Sequence, residues 1–475
     1  MRPRDPNQRQ DGPLDFLPDR RERTREPGQE RRRRSGSLLD DPSPEREKNR
    51  SIIKKVNRVS SGRRKAGFDG VKLLLVVLAV MGVIAGALFV IGNFDFSRIA
   101  IDRGNDDEAP PYAYEEPAPR LFDDFTYTPL ALPPMDDDMV FYHLDGGLFE
   151  LPLAGATGWA AGELILRDSA GLLGEEIMTL PPGTGFTILN YNGDWWQIRL
   201  PDEYSTVGWV DHRRSFINLP DVVPSIIFRI NSADAAQFRS GGYALPGVTG
   251  IPLYEAFAFN YRLGRYEYIV PAMLPMARAL HLAQQRALEI GHTLIVYEAF
   301  RPRSTELAIV DAMNYLMDTN PAVYRAIADS NFTLTWFVST GISNHQRGAA
   351  VDVTMAQVND LGVRQAGSFH FFQITDFTDM RTHTRIHDLS PASAIVNAPR
   401  GISVNEVLNE TAEIAGPAMT AGIAQMQRIM AQSGFHPLAS EWWHFNHAGS
   451  INAANAAGVN GEFYTPTIYS LPPTG

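Results

Sequence analysis

Between residues 73 and 91 the chain reads LLLVVLAVMGVIAGALFVI, a run without a charge or a strongly polar side chain. As a helix rising about 1.5 Å per residue it nearly spans a hydrocarbon core of about 30 Å, and it predicts a single membrane-crossing helix over 71–92. A cleaved signal peptide fits less well. The run is longer than an h-region, lies far from the N-terminus, and lacks a small-x-small cleavage site before the acidic stretch that follows.

The run also divides the charge. Residues 1–72 carry 21 Lys and Arg against 12 Asp and Glu, a balance of +9, while the remainder carries 22 against 42, a balance of −20. Arg63, Arg64, Lys65 and Lys72 precede the run, and Asp95, Asp102, Asp106 and Asp107 follow it. The positive-inside rule therefore predicts a single-pass cell-membrane protein with a cytoplasmic N-terminus and residues after about 93 outside, membrane lipid being met through 71–92.

At 475 residues the chain is too long for one ordinary core. It has no cysteine, which excludes disulfides, thiolate-held zinc and a thiol nucleophile, so any metal site must be built from His, Asp and Glu. Residues 1–66 are rich in Arg, Pro, Ser, Asp and Glu and predict a disordered basic cytoplasmic tail. Beside a membrane helix such a tail sets topology and meets anionic lipid, and no nucleic acid is expected as a partner. Residues 93–138, Pro-rich and acidic, predict an extended spacer.

From 139 to 218 short alternating runs are broken by turn residues. Phe186 and Ile188 alternate with Thr187, Asn192-Gly193 marks a tight hairpin turn, and Trp196, Ile198 and Leu200 alternate again, which is the pattern of a small β-barrel. PPGTGFTILNYNGDWWQIRL followed by Gly208-Trp209-Val210 resembles bacterial SH3 domains. Trp195 and Trp209 are then candidates for wall binding, or equally for packing.

Residues 219–475 change to mixed α and β. Met276, Ala279, Leu280, Ala283 and Ala287 recur at helical spacing up to Gly291, and an apolar strand follows at 293–297. Ser304 is placed to cap a helix through about Met317, and Met419, Ile423, Met426 and Met430 mark another that stops at Gly434. The fold class expected is α+β.

Three short stretches in this region carry candidate chemistry. In SNHQRGAAVD, His345 and Asp352 are too far apart for one helical face, but Gly348 permits a turn, so a loop histidine and a strand carboxylate can converge on one ion. In EWWH, Glu441 and His444 meet on a helical turn but diverge on a regular strand, so the strand-like Trp442, Trp443 and Phe445 predict an irregular strand or a bend. Arg301, held extended by Pro302, offers a planar fork for a carboxylate or a developing oxyanion. Taken singly, each has a plainer reading: an exposed histidine with a capping aspartate, a buried Glu-His pair, a surface ion pair.

In this order, FRP, SNHQRGAAVD and EWWH resemble the motifs of the D-Ala-D-Ala metallopeptidases, the family of VanX-type dipeptidases and VanY-type carboxypeptidases, over roughly residues 225–447. The double tryptophan leans toward the VanX-like branch. The resemblance implies a zinc peptidase domain at 219–475, preceded by the SH3-like segment, with one Zn²⁺ held by His345, Asp352 and His444. It makes Glu441 the general base, Arg301 the stabiliser of the transition state, and Ser343 an orienter of the ligand loop or a substrate contact. For the aspartate that recognises a free substrate amine, Asp388 is the nearest match, although the residues before it do not align cleanly. His447 is either a partner of the metal ligands or an ordinary loop histidine.

The implied substrate is a D-Ala-D-Ala bond, in peptidoglycan stem peptides or in the free dipeptide, cut by a membrane-anchored bacterial dipeptidase or carboxypeptidase in cell-wall metabolism. A peptidoglycan endopeptidase of the same fold, and a non-catalytic wall-binding or sensory protein, are the alternatives. The complete set of ligands and base speaks against the last.

Overall fold

The computed structural model describes residues 121–122, 130–144, 146–409, 414–464 and 467–474. The predicted tail (1–66), membrane helix (71–92) and most of the spacer (93–138) lie outside the described residues. Among the described residues no helix is long and apolar enough to cross a membrane. All of them fall in one compact unit, 114–475.

Strand β1 (Leu121–Phe122) already departs from a free spacer, because its backbone pairs in parallel with Asp379 and Met380. The alternating segment then forms β2 (Thr157–Ala160), β3 (Leu164–Arg167), β4 (Glu176–Leu180), β5 (Gly185–Asn192), β6 (Trp195–Arg199), β7 (Val207–Asp211) and β8 (Ser215–Asn218). The β5–β6 hairpin turns where expected, with Asn192 paired to Trp195 and Gly193 at φ +57°. Phe186, Ile188, Trp196, Ile198 and Val210 are fully buried from one face, and Trp195 and Trp209 are half-buried on the other.

Four short strands follow as β9 (Ile227–Phe228), β10 (Arg239–Ser240), β11 (Tyr243–Ala244) and β12 (Phe257–Asn260), and β13 (Arg265–Tyr268) pairs with β12. Strand β14 (Pro271–Met273) then returns to β8, so the first sheet has the order β14-β8-β2-β5-β6-β7-β3-β4 and its edge strand comes from the second region. The expected boundary at 218/219 is not a boundary in the core: Phe186 and Trp196 share one apolar cluster with Met276, Leu294 and Trp443.

The second region is organised on β15 (His292–Glu298), β16 (Ala350–Ala366), β17 (Phe369–Met380), β18 (His436–Leu438) and β19 (Glu441–Asn446). Strand β16 is the centre of this sheet, pairing with β15, β17 and β19. Helix α1 (Leu274–Glu289) follows the apolar spacing foreseen and ends before Gly291, at φ +77°. Helix α2 (Arg303–Thr319) starts one residue before Ser304, which therefore does not cap it. The first free N–H, that of Arg303, is taken instead by the Gly461 carbonyl at 2.9 Å.

Helices α3 (Pro321–Ala328), α4 (Val404–Leu408), α5 (Ala421–Gln432) and α6 (Ala448–Ala457) complete the layer. Thr420 caps α5 by accepting from the Ile423 N–H at 3.2 Å, and Gly434, at φ +96°, ends the segment. The C-terminal residues fold back onto the first sheet: the Tyr469 N–H donates to Thr157 Oγ1 at 2.7 Å, and Leu471 N–H to the Gly155 carbonyl at 2.8 Å.

Candidate metal centre

Asp352 and His444 are opposed residues of the antiparallel β16–β19 ladder, so their side chains leave the same face side by side. His345 comes from the turn before β16, closed by Gly348 N–H to the His345 carbonyl at 3.0 Å and Ala349 N–H to the Asn344 carbonyl at 3.0 Å. Gly348 sits at φ +59°, and a Cβ there would lie 2.6 Å from the Phe216 ring of β8. Both the turn and the approach of the first sheet require glycine at this position.

The hydrogen bonds of the two imidazoles fix which nitrogen faces inward. His345 Nδ1 lies 2.9 Å from the Ala299 carbonyl, which only accepts, so Nδ1 carries the proton and Nε2 keeps its lone pair. His444 Nε2 lies 3.2 Å from Asn446 Oδ1, itself the acceptor of the Asn344 amide at 2.7 Å, so the lone pair of His444 is on Nδ1. These inward nitrogens are 3.1 Å apart; His345 Nε2 is 3.3 Å from Asp352 Oδ2, and His444 Nδ1 is 3.0 Å from Asp352 Oδ1.

Two facing lone pairs beside a carboxylate repel one another unless a positive charge sits among them. The three ligand atoms lie within 4.8 Å of one another and all three residues are buried, a donor set that suits a zinc ion with a fourth position open. Burial lowers the pKa of His345, only partly offset by Asp352, and so favours the neutral form that a ligand needs. Burial would also lower His444, but Asp352 and Glu441 draw it upward, which marks the place where positive charge is wanted. Asp352, which burial alone would raise, is held well below the usual carboxylate range by His345, His387 and His444.

Glu441 and His444 lie on one strand, and the register slips between Pro437 and Leu438 in the β18–β19 pairing. That irregularity matches the expectation of a distorted strand, and Glu441 Oε2 comes within 3.8 Å of His444 Nδ1. Among the described residues nothing donates a hydrogen bond to the Glu441 carboxylate. Burial pushes its pKa up to about 8, with His444 pulling against this and Asp352 adding to it.

Arg301 is buried; Glu306 Oε2 accepts from its Nε at 2.8 Å and forms an ion pair with its Nη2 at 2.8 Å. Its Nη1 makes no hydrogen bond, the closest carboxylate oxygen being that of Glu298 at 3.9 Å. Burial disfavours its charge, but Glu306, Glu298 and Asp352 more than compensate and raise its pKa. His345, Asp352, His444, Glu441, Arg301 and Glu306 open into a cleft of about 600 Å³ whose other walls include Ser343, Ile309, Trp336, Val338, Leu438 and Trp443. The Ser343 N–H donates to Gln346 Oε1 at 2.6 Å, which braces the ligand loop.

Two sequence expectations are relocated. Asp388 does not line the cleft; its carboxylate accepts from the N–H groups of Gly241 at 2.7 Å and Gly242 at 3.2 Å, in the β10–β11 turn. That turn presents two backbone donors, and the carboxylate is spent on them. His447 caps α6, its Nδ1 accepting from the Ser450 N–H at 3.2 Å.

The residue that sequence reasoning passed over is His387, one position before Asp388. It is fully buried, its Nε2 lies 3.0 Å from Asp352 Oδ2, and its ring stacks on Phe238 with centroids 4.2 Å apart. No spacing rule marks it, because the long β16–β17 hairpin separates it from Asp352.

Residues 272–460 match the family model of the D-Ala-D-Ala dipeptidases, peptidase family M15. A D-alanyl-D-alanine dipeptidase of Enterococcus faecium is 25% identical over 201 residues, 42% of this chain and 78% of that protein. A second, from Enterococcus faecalis, is 25% identical over 36% of this chain and 69% of that protein, and one from Escherichia coli is 25% identical over 37% of this chain and 63% of that protein. The matched segment contains all three candidate ligands as well as Glu441 and Arg301. Residues 272–460 of this chain are thus similar to the D-Ala-D-Ala dipeptidase family of zinc metallopeptidases.

Proposed function

We propose that the protein hydrolyses the peptide bond of D-Ala-D-Ala with His345, Asp352 and His444 as the zinc ligands and Glu441 as the general base. The observation that carries this reading is the convergence of two inward imidazole lone pairs and a carboxylate beside a second, unbonded carboxylate. A zinc ion bound there supplies Lewis acidity, polarising a carbonyl and acidifying water. Glu441 takes a proton from the attacking water and returns it to the leaving amine; the neighbouring cation favours its ionised form. Arg301, clamped by Glu306, keeps Nη1 free to donate to the oxyanion that develops on the substrate carbonyl. The apolar wall around Trp336 and Trp443 excludes water and fits methyl side chains.

Stem peptides ending in D-Ala-D-Ala are a second substrate reading. The cleft volume of about 600 Å³ exceeds what a dipeptide fills, and Asp388, the candidate for binding a free amine, is engaged elsewhere. With residues 71–92 as a membrane helix, the catalytic part works outside the cell, where wall peptides are. Trp195 and Trp209, half-exposed on neighbouring strands, fit a wall-binding role for 139–218.

The test is release of D-Ala by the zinc-loaded chain from D-Ala-D-Ala and from an N-acylated tripeptide ending in D-Ala-D-Ala. Chelator-sensitive release from the dipeptide is expected. Intact zinc stoichiometry without release from either peptide would favour a binding protein, and a product other than D-Ala would indicate an endopeptidase.

A further inference from the structure

The residues that match the family begin at 272, yet one contact to a metal-ligand carboxylate is secured from well before that point. Asn231 Nδ2 lies 2.8 Å from His387 Nδ1. An amide nitrogen only donates, so Nδ1 of His387 is the acceptor and the ring proton is on Nε2, 3.0 Å from Asp352 Oδ2. The ring is held flat against Phe238, at an interplanar angle of 3°. Phe238 also lies under the Arg301 guanidinium, 5.3 Å from its centroid.

The backbone is fixed from the same segment. His387 stands at φ +62°, a conformation that a residue with a Cβ adopts only under constraint. The constraint is the β10 strand: the Arg239 N–H donates to the His387 carbonyl at 2.9 Å, the Leu389 N–H to the Arg239 carbonyl at 2.7 Å, and Ser240 Oγ to the Leu389 carbonyl at 2.8 Å. The bonds from Gly241 and Gly242 to Asp388 belong to this same strap. It thus bends the chain so that the His387 ring, rather than Asp388, faces the cleft.

We propose that Asn231 and His387 form a donor relay that positions Asp352, engaging Oδ2 and turning Oδ1 toward the metal, so that residues 231–244 complete a centre whose ligands all lie in the family-matching segment. This rests on the zinc reading of His345, Asp352 and His444. His387 is a positioning residue: it acts through Asp352 and not on substrate.

The experiment measures zinc affinity of the full chain by competition with a chromophoric chelator, together with the visible spectrum of the cobalt-substituted protein, for wild type, His387→Ala, His387→Gln and Asn231→Leu. Loss of the donor in His387→Ala is expected to weaken zinc binding by about 10- to 100-fold and to alter the cobalt bands. His387→Gln, whose amide can still donate, is expected to recover most of that loss. Asn231→Leu, which leaves the tautomer unpinned, is expected to show a smaller loss in the same direction.

Wild-type affinity and an unchanged cobalt spectrum in His387→Ala would overturn the relay, as would a Gln variant no better than the Ala variant. If His387→Ala fails to fold, judged by its metal-free thermal midpoint, Asn231→Leu decides, and wild-type affinity there overturns the proposal. A wild-type chain that binds no zinc would instead remove the metal reading, and the relay with it.

Discussion

At the seam between the first sheet and the segments packed against it, the buried Asp221 carboxylate accepts from the Thr157 N–H at 2.8 Å, the Asn260 amide at 2.7 Å and Ser470 Oγ at 2.5 Å. In the cleft, the buried Glu441, which keeps 6% of its surface exposed, accepts from nothing among the described residues. Glu150, also at the seam, is bonded by the Ser225 N–H and hydroxyl and by Gln285, whereas in the cleft Arg301 Nη1 stays unbonded. Taking a polar group out of water costs several kcal/mol unless its bonds are replaced. The seam replaces them and gains a fixed junction. The cleft leaves them open, and surrounding packing holds the groups where a metal, a substrate and a transition state can use them.

The sharpest way to break this comparison is to remove the reactivity of the cleft without its shape. Glu441→Gln is expected to lower kcat by about a thousandfold while zinc stays at one per chain. Loss of zinc with activity, read by metal analysis, would mean that Glu441 is a ligand and not a free base. At the seam the opposite is expected. Asp221→Ala strands three donors and should lower unfolding free energy by about 3 kcal/mol in a denaturant titration, with kcat of the folded protein unchanged.

Glu306→Gln probes whether the Arg301 clamp is closer to the seam or to the cleft in kind. If it aims Arg301, kcat falls by about 10- to 100-fold with little change in thermal midpoint. A drop in midpoint alone would make it structural. The smallest effect is expected at Glu150, where burial raises the pKa to about 7 despite its bonds to Ser225 and Gln285. Because the folded value exceeds the unfolded one, its stabilising contribution is complete below about pH 4.5 and is lost as pH rises through about 7. Glu150→Gln should therefore flatten the fall in thermal midpoint between about pH 5 and 8; an unchanged slope would assign that titration elsewhere.

Much of this contrast was legible in the sequence and some was not. The strands at 185–199 and 292–298 and the helices at 274–289 and 421–432 follow from local periodicity and terminal glycines, which act within a few residues. The motifs at 343–352 and 441–444 were legible because each packs several chemical groups into one short stretch. Ser304 misled, because the N-terminus of α2 is satisfied by the Gly461 carbonyl far along the chain. Asp388 misled for the same kind of reason: Gly241 and Gly242 claim its carboxylate from a distant turn. The separation of the first sheet as a module was likewise an inference from pattern alone, and β14 and the C-terminal strap cross it.

By itself the sequence determined the inventory: no cysteine, hence oxygen and nitrogen ligands, and the two histidines and two carboxylates that a zinc peptidase uses, in recognisable order. Only the tertiary structure decided which carboxylate faces the metal cluster, which is spent on a backbone turn, and that His387 and Asn231 stand behind Asp352. The reason is physical. A motif records covalent neighbours, whereas the partners that orient a buried charge come from whatever segments the sheets bring together, here from residues 35, 46 and 156 positions apart.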